Sequence, residues 1–143
     1  MATRTSVIAA VLADVVASGA AGASAYSGRR DAVDVKSMPV AYVYGSAESA
    51  EPTTLGRNKR NIEWTLTVNV DLYDVETLAS EIETTLDTKT TLINQAIDTD
   101  TTLGGIVTDI HITDRDFEYE SAGANSLGVA RMKYQVSYTT YEA

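Results

Sequence analysis

The chain has 143 residues, enough for one domain with a sizeable core, and it contains no cysteine, so disulfides and thiolate metal sites are excluded. Its 20 acidic and 11 basic residues leave a net charge of −9, which argues against a protein whose main task is to grip nucleic acid with concentrated Lys and Arg. That charge is compatible with DNA sliding past, because each phosphate contact would slow its transit.

The first segment reads as an amphipathic helix. Val7, Val11 and Val15 form one apolar row, and Ile8, Leu12 and Val16 form the row beside it. Thr5 or Ser6 is expected to cap its start, and Gly19 with Gly22 to stop it. Arg4, the run from Val7 to Val16 and Ala23-Ser24-Ala25 imitate a secretory signal, but Asp14 interrupts the apolar run. The polar face lacks the Lys and Arg of a membrane-surface helix, and no stretch reaches the ~18 apolar residues of a membrane span. A helix packed on a sheet, with no membrane partner, is the expectation.

Residues 18–32 are small and flexible in character and end in Arg29-Arg30-Asp31. A short strand is expected from Val33 to Lys36. A further strand begins at Pro39, with Val40, Tyr42 and Tyr44 on one face and Ala41 and Val43 on the other. Periodicity then lapses. Residues 45–60 carry Gly, Ser, Glu, Pro and Thr and end in Arg57-Asn58-Lys59-Arg60, which reads as an extended loop of the kind that carries function.

The strongest signal follows. Ile62, Trp64, Leu66, Val68, Val70 and Leu72 alternate with Glu63, Thr65, Thr67, Asn69, Asp71 and Tyr73, a long strand with one buried and one wet face. Asp74 is the expected N-cap of a second helix over Val75–Ile97. Leu78, Ile82, Leu86, Ile93 and Ile97 would face inward, Glu81, Glu83 and Asp87 outward, with Lys89 near the apolar seam. Asp98 to Gly105 reads as a turn. A strand with Ile106, Ile110 and Ile112 on one face follows and continues with a bend through Phe117–Glu120. After a connector over 122–128, the last strand alternates Ala130, Met132, Tyr134, Val136 and Tyr138 with polar residues. The whole chain, 1–143, is thus expected to form a single α+β domain with a mainly antiparallel sheet of four to five strands packed by two helices.

Catalytic chemistry has little to work with. The one histidine, His111, lies on a polar strand face beside Asp109, where no nucleophile can be placed. No metal or cofactor is expected. Asp98, Asp100 and Asp109 imitate a calcium loop, but Thr102, Leu103 and Asp109 stand where an oxygen ligand, glycine and a bidentate glutamate belong. Gly104-Gly105 follows a helix and precedes a strand, the reverse of a phosphate cradle, and suits a helix stop. Arg57, Lys59 and Arg60, with Arg29 and Arg30, are basic residues in loops without interleaved aromatics, so they are expected to contact acidic protein rather than DNA.

The segment from Asp100 to Ile110 resembles the D-x-T-L-G-G-x-V-x-D stretch of tail-terminator and minor tail proteins of long-tailed phages, on Asp100, Leu103, Gly104, Gly105 and Asp109. The order of elements is similar too, with an N-terminal helix, a strand carrying Trp64 before the long helix, and a Tyr-rich closing strand. This resemblance implies a virion protein made in the host cytoplasm. It implies a homo-oligomeric ring, six copies in the family, that caps the tail tube protein and meets head-completion proteins of the neck. Double-stranded DNA would pass through without specific binding. Glu81, Glu83, Asp87 and Glu63 are candidate channel-lining residues. Another head–tail connector or stopper is the nearest alternative, and a small calcium- or ligand-binding module a more distant one.

Overall fold

The computed structural model describes residues 2–21, 24–28, 38–54 and 60–142. In chain order the elements are α1 (Arg4–Ser18), β1 (Ala25–Ser27), β2 (Val40–Thr54), β3 (Arg60–Glu76), α2 (Ala79–Asp98), β4 (Asp109–Ala122) and β5 (Asn125–Glu142). The strands form one sheet in the order β1-β2-β3-β5-β4, antiparallel except for the β1–β2 pair. The architecture is α+β, as the sequence pattern indicates.

The core lies between the two helices and one face of the sheet. Leu66, Val68, Val70 and Leu72 of β3 are fully buried there, with Ala130, Met132, Tyr134 and Val136 of β5. Val7, Val11 and Val15 of α1 and Ile82, Leu86, Ile93 and Ile97 of α2 close over them. Burial of each such aliphatic side chain contributes about 1.5–3 kcal/mol, which supports a second helix rich in poor helix formers. Trp64 is half-buried, stacks on Tyr138 and donates its indole N–H to Thr140 Oγ1 at 2.8 Å. The first helix is capped two or three residues earlier than expected, by Thr3 with Ser6 in a reciprocal capping box, and ends at Gly19 with φ 73°.

Residues 45–54 are not loop. They continue β2, paired with β3 out to Thr54↔Arg60, after a bulge at Ser46 between Gly45 and Ala47. β5 follows β3 to the same end, with Arg60↔Glu142, so three strands project as an arm. Residues 46–52 are exposed, and a strand held by backbone pairing without a buried face leaves no alternation to read. Residues 55–59, and the strand expected over 33–36, lie outside the described residues. The stretch read as flexible contains β1, which is too short for a visible pattern.

The second helix also differs from its expected start. β3 runs on to Glu76, so Asp74 caps nothing. It is 3% exposed, receives Lys89 Nζ at 2.5 Å and accepts the Val75 N–H at 2.8 Å. Leu78 therefore stands before α2 as its N-cap, 56% exposed and without a side-chain capping bond. Replacing it by Asp supplies the missing acceptor beside the positive helix end. Leu78→Asp is expected to stabilise the monomer by about 1 kcal/mol, raising Tm by roughly 3–5 °C in thermal unfolding. A lower Tm would show that Leu78 packs as core.

The strand expected from Ile106 begins at Asp109, because Ile106 and Val107 belong to the preceding turn. Its bend is a bulge at Thr113, between Ile112 and Asp114. The expected connector at 122–128 is instead a tight hairpin, with Ala122↔Asn125 paired and Gly123 at φ 62°. Such a two-residue turn needs a left-handed residue at its first central position, which glycine adopts at least cost.

Candidate assembly surfaces

The Asp100–Asp109 segment forms a compact turn after α2. Leu103, Gly104 and Gly105 have φ of 47°, 71° and 93° in succession. The Asp100 carboxylate accepts the Gly104 N–H at 2.9 Å, and the Asp100 carbonyl accepts the Leu103 N–H at 2.9 Å. Leu103 is the non-glycine residue in this left-handed run and is 4% exposed, so burial of its side chain offsets the backbone strain. Asp109 is not part of the turn. It opens β4, where its carboxylate meets His111 Nδ1 at 3.2 Å with both side chains more than half exposed. The Asp98–Asp100–Asp109 calcium reading finds no support in this arrangement, and among the described residues no three His, Cys, Asp or Glu side chains are grouped to hold a metal.

Asp100 has a second neighbour that the sequence reading missed. Asp14, on α1, has its Oδ2 sealed from solvent with no donor reaching it among the described residues. Burial, then the charge of Asp100 beside it, push the Asp14 carboxyl up to about 6. A folded pKa above the ordinary aspartate value of 3.8 means the favourable contribution is complete below that value and is lost as pH rises through about 6. Asp14→Asn is therefore expected to match the parent near pH 4 and to exceed it above pH 6. Allowing for solvent screening at this partly exposed site, the gain is about 1 kcal/mol. Thermal unfolding across pH checks it, and an Asn variant less stable than the parent at pH 8 would contradict it.

The helix-free face of the sheet departs from its expected wet character. Asn69 and Asp71 on β3 are 5% and 2% exposed. Tyr44 donates its hydroxyl to Asp71 at 2.9 Å, and Asn69 donates to Ser46 at 2.7 Å. Arg131 lies 4.0 Å from Asp71 and 2.8 Å from Glu118, and the hydrogen bond to Glu118 holds its guanidinium still more firmly protonated. Tyr26, Tyr42 and Tyr73 make an aromatic row across β1, β2 and β3 on this face, with successive centroids 6.0 Å apart. Cross-strand partners, invisible in a single-strand pattern, account for the burial.

Few of the residues expected to act at interfaces fall within the described structure. Arg29, Arg30, Arg57 and Lys59 lie outside the described residues, and the backbone of Arg60 opens β3 at the tip of the arm. Glu81, Glu83 and Asp87 are exposed on α2, with Asp87 3.3 Å from Arg115. Glu63 alternates with Trp64, which packs against the helix-side core, and so projects from the opposite face of the sheet to α2.

Two helices on one face of a mainly antiparallel sheet, two strand edges and a projecting three-stranded arm define an α+β domain whose distinguishing features are surfaces. The chain belongs to the phage minor tail protein U family, whose model matches residues 2–138, and it is a structural protein of a phage tail. A solved structure described as the virion of a native gene transfer agent particle is similar in fold, with a TM-score of 0.50 and 8% identity over 96% of this chain and 99% of that one. A comparison with curated proteins returns no match.

Proposed function

We propose that the protein forms a ring of six copies that caps the tail tube and joins it to the neck. One ring face meets the tail tube protein, the other the head-completion proteins, and double-stranded DNA passes through without specific binding. The protein is made in the host cytoplasm and catalyses nothing. Membership of a minor tail protein family by a domain with a projecting arm is the observation that carries this reading.

The physics of assembly follows from charge. Six copies at −9 each carry roughly 54 net negative charges, which repel at long range. The arm and the basic residues Arg57, Lys59 and Arg60 supply contacts to neighbouring proteins, and the exposed acids of α2, Glu81, Glu83 and Asp87, line the bore with its hydroxyls and repel phosphate. Ring formation by the purified protein, followed by electron microscopy, should strengthen as salt shortens the screening length from about 30 Å at 0.01 M to about 8 Å at 0.15 M. Rings that dissolve as salt is added, or a protein that stays monomeric throughout, would overturn the reading.

A further inference from the structure

Leu78 leaves α2 without a side-chain cap while exposing an apolar group, a combination that the fold itself does not require. Next to it, Ala79, Ile82, Glu83 and Tyr119 line a cleft of about 300 Å³ between the first turn of α2 and β4. Tyr119 is 49% exposed. This edge of the domain thus presents Leu78 and Tyr119 among the exposed carboxylates Glu81, Glu83, Glu118 and Glu120.

The same edge repels its own copy. β4 carries five carboxylates, Asp109, Asp114, Asp116, Glu118 and Glu120, against the single guanidinium of Arg115. A two-fold contact of β4 with β4 would set these acids against one another. A different surface is needed, and the opposite end of the sheet order holds one. There α1, β1 and β2 border an open groove of about 350 Å³ lined by Arg4, Ile8, Ala9, Leu12 and Val43, among others. The only charged residues of α1 are Arg4 and Asp14, and Asp14 interacts with Asp100. The groove is therefore apolar with a cation at one end, complementary to apolar groups rimmed by acids.

We infer that copies of this chain join head to tail, with Leu78 and Tyr119 of one seated in the Ile8–Leu12 groove of the next and Arg4 facing the acidic rim. The inference rests on the ring reading above and specifies its contact. Joining opposite edges of one sheet is a heterologous contact, which propagates from copy to copy and closes into a ring when the rotation allows.

Two double variants test it, both at exposed positions. Leu78→Asp with Tyr119→Ser removes the apolar groups and caps α2. Thr5→Glu with Ala9→Glu places acids in the groove near the start of α1, where they suit the helix. Circular dichroism confirms folding, and sedimentation with electron microscopy reads assembly under conditions in which the parent forms rings. Each variant alone is expected to assemble at least tenfold more weakly. An equimolar mixture keeps one intact contact and yields heterodimers but no rings. Rings from either variant, rings from the mixture, or a mixture that stays monomeric would overturn the edge assignment while leaving the ring reading standing. A parent that forms no rings at any salt concentration would remove both.

Discussion

Replacing residues 51–63 by Asn-Gly, so that Ala50 joins Trp64 through a two-residue turn, is expected to leave a folded monomer that no longer joins tails. Ala50 and Trp64 are already paired across β2 and β3, and Asn-Gly suits the turn that closes such a ladder. The Trp64–Tyr138 stack and the helix-covered core lie on the retained side. The removed part includes exposed strand and the stretch of sequence that carries Arg57, Lys59 and Arg60. Loss of the central contacts of an interface costs a few kcal/mol, so joining should fall by on the order of 100-fold. In vitro complementation of tails and heads measures joining, and thermal unfolding checks the fold. Loss of cooperative unfolding would show that the arm belongs to the folding core, and undiminished joining would remove it from the interface.

The second large effect lies under α2. A Cβ placed on Gly128 would stand 2.5 Å from Leu86 Cδ1 and 2.9 Å from Ile82 Cγ1, both on buried side chains of the helix. The glycine sets how closely α2 approaches β5. Gly128→Val must push the helix away or force its side chains off their rotamers, at an expected cost of about 1–3 kcal/mol. Denaturant unfolding measures the loss. Adding Leu86→Ala creates room, so the double variant should lose less than the sum of the two single ones. Strict additivity would mean that Leu86 does not transmit the clash.

What the sequence made legible is what burial on one face imprints. The alternation of Leu66, Val68, Val70 and Leu72 and the rows Val7–Val11–Val15 and Ile82–Leu86 all point to the core that is found. The motif turn is also where Asp100, Leu103 and Gly104 place it. Elements without one buried face left no such imprint. The arm is solvated, β1 is three residues long, and Asp74 has the chemistry of an N-cap although Lys89 recruits it into a strand. Asn69 and Asp71 look like solvent-facing residues until Tyr44, Ser46 and Arg131 arrive from other strands. The Asp14–Asp100 pair joins residues far apart in the chain, which neither local periodicity nor a motif can reveal. Leu78 fits the apolar row of α2 by spacing, but the helix begins one residue later and leaves it exposed.

Cryo-electron microscopy of the assembled tail tests whether this chain forms the proposed ring at the head-proximal end of the tail tube. Six copies are expected in a closed ring between tube and neck, with the arm on a neighbouring protein. The bore is expected to be wider than the roughly 20 Å of a DNA duplex and lined by acidic and hydroxyl side chains of α2. A narrower bore, a lumen dominated by Arg and Lys, or density for this chain elsewhere in the tail would contradict it.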